Sequence, residues 1–248
     1  MGDACSVARA DDVDGLLFEE VHEDSDDWRE VSELLRARQK NTRHYGSVIE
    51  LKRLLRILPS EVHLDLEEEA LKAKMGEPTR LFHGTEFYTA ESIVREGFRL
   101  PDKSGLFGRG IYFAEDPLKS VRYSKPKSKS KSSGSWPLWQ ALFGPRDLHR
   151  MLLCDVYLGK QKTCRSGGNK LSPMELRRHP WMRKLGAKDY DSVRAPGGIF
   201  GAVKVTEHVV YHRFQALPRF LIEFETVRAC HGCHIKGKTK TVASKSSS

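Results

Sequence analysis

Three short apolar runs in the second half of the chain constrain its fold most. Residues 151–158 (MLLCDVYL), 203–211 (VKVTEHVVY) and 220–225 (FLIEFE) are rich in β-branched and aromatic side chains and are flanked by polar or turn-forming stretches, which predicts strands. The first half reads differently. Trp28, Val31, Leu34 and Leu35 fall at helical spacing, and Val48, Leu51, Leu54 and Leu55 do so again after His44-Tyr45-Gly46, predicting two amphipathic helices with core-facing stripes. Helices early, strands late and no internal repeat predict an α+β arrangement, because a doubly wound sheet requires regular strand–helix alternation.

Between these halves the signals are local. RLFHG, just after Thr79, predicts a short strand, and Thr89 opens a capped helix, TAESIVREG, stopped by Gly97. The loop FRLPDKSGLFGRG leads into an apolar strand at Ile111, Tyr112, Phe113 and Ala114. Asp116 and Pro117 then start a further helix, with Asp as N-cap and Pro at the first helical position. On that helix Ser120 and Tyr123 are three residues apart and share a face.

Charge is distributed unevenly over the 248 residues: the net value is +9, yet the first 27 residues hold ten acidic side chains against one arginine. Two tracts, KPKSKSK at 125–131 and KGKTKTVASKSSS at 236–248, carry eight lysines and no acid. Such segments cannot bury apolar surface and are expected to be solvated, with an affinity for nucleic acid or acidic partners as one consequence. The expected organisation is an acidic mobile leader at residues 1–25, one folded domain at 26–226 with a Lys/Ser-rich insertion at 125–135, and a basic tail at 227–248. No apolar run approaches the roughly 18 residues a membrane span needs. The N-terminus lacks the basic head and apolar stretch of a secretory signal, and the five cysteines suit free thiols. An intracellular protein of the nucleus or cytoplasm, without membrane partners, is expected.

Several chemistries are excluded by spacing. The segment GLFGRG (105–110) has glycines in the reverse order of a dinucleotide fingerprint and runs into a strand rather than out of one, and no P-loop motif occurs. Cys230-His231-Gly232-Cys233-His234 matches the haem-attachment pattern and offers zinc-type ligands, but closed zinc sites usually draw on two separated pairs. Free thiols in a frayed tail are the third reading, and no metal is expected to be required.

His83-Gly84-Thr85 follows a strand, Tyr112 lies in the next one, Lys119-Ser120 and Tyr123 come soon after, and Glu207 sits in a late strand. Each has an ordinary structural explanation when taken singly: a strand cap, a core tyrosine or a solvated carboxylate. Taken in order, WREVSELL, LFHGT, ESIVREGF, GLFGRGIYFAEDPLKSVRYS, MLLCDVYLGK, YDSV, EHVVY and QALPRFLIEF resemble the catalytic domain of the poly(ADP-ribose) polymerase family of ADP-ribosyltransferases. The resemblance extends from about Trp28 to Glu225.

That resemblance implies split, mostly antiparallel β-sheets with flanking helices around a cleft for NAD+. NAD+ would be a cosubstrate to be cut rather than a hydride carrier. The family's His-Tyr-Glu triad maps to His83, Tyr112 and Glu207. Gly84 would pair through its backbone with the nicotinamide carboxamide, with Ser120 in support, and Tyr112 and Tyr123 would sandwich the pyridinium ring. His83, assisted by Thr85, would bond the adenosine ribose, and Arg99 matches a residue that contacts the adenosine or pyrophosphate. Glu207 would hold the nicotinamide ribose and steady the charge that develops as nicotinamide leaves.

Two departures concern the acceptor side: His208 stands where chain-forming members usually have tyrosine, and the Lys/Ser insertion follows Tyr123. Retention of Glu207 permits polymer synthesis. The expected reaction is transfer of ADP-ribose to a protein acceptor, including the enzyme itself. Modification of nucleic-acid ends and a catalytically weak NAD- or ADP-ribose-binding scaffold are the alternatives. The residues ahead of Trp28 are too few for a helical regulatory domain, zinc fingers or ankyrin repeats, so activation by DNA breaks through such a domain is not expected of this chain.

Overall fold

Two strands buried on both faces organise the molecule: β5 (His149–Val156) and β9 (Ala216–Arg228). In β5, Met151 and Leu153 face one apolar cluster while Leu152, Cys154 and Val156 face another, as the period of two requires. Phe220, Ile222 and Phe224 of β9 join the first cluster, and Leu221 joins the second. A strand covered on both sides reads as a continuous apolar run, which is why 151–158 stands out in the sequence.

Helix α1 (Asp26–Arg38) covers the first face with Val31 and Leu35, and α4 (Phe87–Glu96) covers the second with Ala90, Ile93 and Val94. Burying each Val, Leu or Ile contributes about 1.5–3 kcal/mol. Ser25 caps α1 by accepting from the Trp28 amide, with Asp26 and Asp27 in the first turn and Arg36 and Arg38 in the last, complementing the helix dipole. Helix α4 starts two residues before Thr89, with Glu86 at the N-cap position, and stops at Gly97.

The computed structural model describes residues 18–58, 65–124, 148–167, 189–199 and 201–229, apart from the side chains of 65–68 and 87–88. Residues 1–17 of the leader, both lysine tracts and the Cys230–His234 motif lie outside these. The remaining elements are β1 (Phe18–Glu20), α2 (Thr42–Tyr45), β2 (Ser47–Ile57), α3 (Asp65–Met75), β3 (Thr79–Gly84), β4 (Ile111–Ala114), α5 (Pro117–Val121), β6 (Gln161–Thr163), β7 (Ser192–Ala195) and β8 (Glu207–Val210). Among the described residues no helix is long and apolar enough to cross a membrane.

The described strands form one sheet in the order β1-β2-β9-β5-β3-β4-β8-β7-β6, antiparallel throughout except between β6 and β7. The arrangement is α+β as expected, but the expected pair of sheets is a single sheet with a narrow waist. Strand β3 pairs with β5 over six residues, yet with β4 through one pair alone, Phe82 and Ala114. The ladder between them goes no further than that pair.

Residues 47–57 form a strand, not the second amphipathic helix expected from Val48, Leu51, Leu54 and Leu55. A bulge at Lys52, between the pairs Leu51–Phe224 and Arg53–Glu223, explains the misleading spacing. Ile49, Leu51 and Leu54 share one face across the extra residue, while Leu55 and Ile57 face the opposite core. One inserted residue in a strand buried on both sides mimics a helical stripe. The ordered fold also reaches beyond the expected boundaries. Phe18–Glu20 pairs with β2 and Val21 is buried, so the leader is tied down before residue 25, and β9 continues to Arg228.

Candidate functional site

The cavity at the waist of the sheet holds about 540 Å³ and is lined where β3 and β4 part, by Phe82, His83 and Gly84 on one side and Tyr112, Phe113 and Ala114 on the other. Helix α5 closes one end with Lys119 and Ser120, followed by Arg122 and Tyr123, and Glu207 enters from the start of β8. Glu207 is placed by register: it pairs with Ala114 of β4 and Ala195 of β7, both small and buried. Six of the eight residues singled out in the sequence, His83, Gly84, Tyr112, Ser120, Tyr123 and Glu207, therefore line one cavity.

Thr85 and Arg99 do not line it. Thr85 is buried and its hydroxyl donates to the Glu86 carbonyl at 3.4 Å. Arg99 follows the buried Phe98, so its side chain projects outward, 73% exposed, and pairs with Glu96 at 2.6 Å. Arg99 thus stands apart from the six residues that line the cavity.

His83 is fixed by its hydrogen bond and its packing. Its Nδ1 lies 2.9 Å from the Tyr112 carbonyl, which can only accept, so Nδ1 carries the proton and a neutral ring presents Nε2 as an acceptor. Phe98 and Phe113 hold the ring at 5.2 and 5.4 Å between centroids. Burial pushes the imidazole pKa below its ordinary value, partly opposed by the bond to Tyr112.

Tyr112 is held from both sides of its hydroxyl, which accepts from the Phe107 amide at 2.8 Å and donates to the Gly108 carbonyl at 2.9 Å. Burial raises its pKa to about 12; the Phe107 amide opposes the rise, while Glu207 and Tyr123 add to it. A Cβ on Gly105 would stand 2.5 Å from this hydroxyl, so the glycine allows the 105–110 loop to close over the ring. The same logic applies at Gly84, where a Cβ would fall 2.1 Å from the Ser120 carbonyl oxygen and force α5 away from β3.

Helix α5 is seated by Asp116, a buried carboxylate that caps it through the Leu118 amide and accepts from both the backbone and the side-chain amide of Asn41. That seat positions the next two functional side chains. Lys119 Nζ lies 3.1 Å from Glu207 Oε1, and Ser120 Oγ donates at 3.4 Å to the Phe82 carbonyl. Sequence alone gives Lys119 no role, although it directly precedes Ser120 in the K-S-x-x-Y segment. His44 and Tyr45 also reach the cavity from the turn before β2, and Lys204 borders its mouth. Burial, ahead of the nearby Asp116, raises the Tyr45 hydroxyl to about 12.

Chemically, the arrangement offers an imidazole acceptor, two tyrosine rings, a carboxylate paired with an ammonium, and the backbone of Gly84 on the opening side of the waist. These groups fit a ligand combining a flat cationic ring with a ribose. Among the described residues there is no cluster of three or more metal-ligating side chains.

A family model described as the poly(ADP-ribose) polymerase catalytic domain matches residues 25–226. Poly [ADP-ribose] polymerase 1 of Caenorhabditis elegans is 28% identical over 149 residues, covering 58% of this chain and 13% of that protein. Poly [ADP-ribose] polymerase 2 of the same organism is 32% identical over 90 residues, covering 30% of this chain and 17% of the relative. The chain thus spans well under a quarter of the length of these curated relatives.

Proposed function

The chain belongs to the poly(ADP-ribose) polymerase catalytic-domain family, and from that membership and the cavity at the sheet waist we propose that it is an ADP-ribosyltransferase. It cuts the nicotinamide N-glycosidic bond of NAD+ and transfers ADP-ribose to a protein acceptor. The observation that carries this reading is that His83, Tyr112, Tyr123 and Glu207 line a single cavity.

In this reading the Gly84 backbone and Ser120 orient the carboxamide, and the rings of Tyr112 and Tyr123 bracket the pyridinium. Nε2 of His83 accepts from a ribose hydroxyl on the adenosine side. Glu207 accepts from the nicotinamide-ribose hydroxyls and places negative charge where positive charge grows. The bonding pair of the breaking C–N bond goes to the nicotinamide nitrogen, neutralising its cation. The acceptor's lone pair then forms the new bond at the anomeric carbon, and Glu207 takes the proton the acceptor gives up. A preorganised carboxylate in a part-buried cleft is effective here because it needs no reorganisation as charge develops.

Lys119 steadies Glu207 and adds a cation at the mouth of the cavity, beside Arg122, Lys204 and His44. Elongation to poly(ADP-ribose) is compatible with the retained carboxylate. The test is incubation with NAD+ labelled in the adenylate half, offering protein and nucleic acid as acceptors in parallel. Label transferred to protein together with stoichiometric nicotinamide release is the expected result. Label on nucleic-acid ends alone would replace protein as the acceptor, and retention of intact NAD+ would leave a binding scaffold.

A further inference from the structure

Glu207 and His208 are consecutive in β8 and so point to opposite faces of the sheet. Glu207 faces the cavity described above. His208 faces a second one of about 670 Å³, bounded by Arg38 at the end of α1, Lys40 and Asn41, Arg194 and Gln161 on the sheet, and residues 204–206. Arg194 is the register partner of His208 across β7.

Four cations border this second cleft, Arg38, Lys40, Arg194 and Lys204, against two carboxylates, Glu115 and Asp116. Both carboxylates are engaged by uncharged donors. Asp116 accepts from Asn41 and the Leu118 amide, and Glu115 accepts from His208 Nε2 at 2.8 Å. His208 is neutral in this arrangement, because its Nδ1 accepts from Gln161 Nε2 at 2.8 Å and its single proton sits on Nε2.

With four cations against two carboxylates the cleft keeps a net surplus of two positive charges, although Glu115 acts on Arg38 through space. Arg53, Arg56, Arg80, Arg150 and Arg219 each reach a carboxylate. Arg38 instead donates to the Arg80 carbonyl, and none of the four cleft cations is within ion-pair distance of a carboxylate among the described residues. A concave site with surplus positive charge selects a ligand carrying more than one negative charge, since a single carboxylate would leave half of that surplus unmatched. Guanidinium groups favour phosphate oxygens, which they can grip with two parallel bonds. The volume lies within the roughly 300–1,000 Å³ range of ligand sites, and Asn41, Thr79 and Thr206 supply neutral polar groups for a sugar.

We propose that this second cleft is a binding site for an organic diphosphate of the nucleoside-diphosphate-sugar class, held by Arg38, Lys40, Arg194 and Lys204. Lys204 borders both clefts, so the diphosphate lies next to the mouth from which a transferred ADP-ribose would emerge. The choice of ADP-ribose as the natural member of that class rests on the transferase activity proposed above. Its source is either the free nucleotide or a unit already attached to a modified protein.

The test is calorimetric titration of the full chain with inorganic pyrophosphate, ADP-ribose and an ADP-ribosylated peptide, repeated on the double variant Lys40→Ala/Arg194→Ala and on Tyr123→Ala. The double variant should lose at least tenfold in pyrophosphate affinity while keeping its melting temperature and its NAD+ affinity. Tyr123→Ala should bind pyrophosphate as the parent does. Absence of pyrophosphate binding to the parent, unchanged affinity in the double variant, or an equal loss in Tyr123→Ala would overturn the proposal. Binding of the peptide assigns the attached unit as ligand, and binding of ADP-ribose without the peptide assigns the free nucleotide. A chain that binds pyrophosphate through Lys40 and Arg194 but consumes no NAD+ keeps this site and loses the transferase reading; the reverse outcome separates them the other way.

Discussion

Lys119 Nζ lies 3.1 Å from Glu207 Oε1, with both side chains largely withdrawn from solvent at 16% and 10% exposure. The ammonium compensates a carboxylate that would otherwise stand alone in a poorly solvated cleft, and it occupies one oxygen, so Oε2 remains for a substrate. The pair joins α5 to β8 across the cavity. A change at either residue therefore acts on the chemistry before it acts on the fold.

Glu207→Gln keeps the side chain's shape and removes its charge. Turnover of NAD+ should fall by roughly 10²- to 10⁴-fold, since that charge is needed most in the transition state, while NAD+ affinity changes only a few-fold. Steady-state release of nicotinamide, measured beside equilibrium binding of NAD+, separates the two effects. Turnover within a few-fold of the parent would place the essential carboxylate elsewhere.

Tyr112→Phe leaves the ring and removes the hydroxyl that bridges the Phe107 amide and the Gly108 carbonyl. Phe107 is fully buried, so its amide would be stranded at a cost of about 1–3 kcal/mol. The urea midpoint should drop accordingly with an unchanged slope. Stability equal to the parent's would mean that another group satisfies that amide.

His83 and His208 are both held below the ordinary histidine value of 6.5, chiefly by burial. The unfolded chain then takes up protons before the folded one does. Their contribution is fully present above about pH 6.5 and is lost as the pH falls from there through the folded values, with a slope of at most about 1.4 kcal/mol per pH unit for each histidine. Urea midpoints measured from pH 8 to pH 5 should decline on the acid side, and His208→Gln should flatten that decline. An identical profile in the variant would remove His208 from the explanation.

Glu223 is fully buried and accepts from Arg150 Nε at 2.6 Å, with Arg53 at 3.7 Å from its other oxygen. Glu223→Ala should destabilise the fold by about 3–5 kcal/mol, because it removes the carboxylate half of a buried ion pair and its hydrogen bond from Arg150. Replacing Glu223 and Arg150 together by methionine should recover much of that loss. A double-mutant cycle on urea unfolding measures the coupling, and additive losses would show that the two act independently.

Legibility in the sequence followed how locally each feature is determined. The Asp116-Pro117 helix start and the Gly97 stop depend on neighbouring residues and could be read directly, and so could the apolar runs of β4, β5 and β9. Strand β2 looks helical in sequence because the bulge at Lys52 is a property of its pairing with β9, which lies about 170 residues further along the chain. Motif order singles out His83, Tyr112 and Glu207, and all three line one cavity. The Lys119–Glu207 pair was not legible, because it depends on α5 and β8 meeting across the cavity. Arg99 shows the converse: its position in the chain matched a pattern, but the burial of Phe98 turns it outward.

A sheet resists bending because many ladder bonds share any load, and between β3 and β4 the ladder has the single rung at Phe82 and Ala114, backed by the side-chain bond from His83 to the Tyr112 carbonyl. The most compliant joint of the sheet therefore coincides with the place where a ligand must wedge between strands. One half-sheet carries His83 and Gly84; the other carries Tyr112 and Glu207. A small rotation about this rung changes the gap between them while β5, β9 and β2 keep their pairing intact. The core behind the jaws registers any such adjustment, because Ile111, Phe113 and Val210 of one half pack in the same cluster as Leu81, Leu152 and Leu221 of the other.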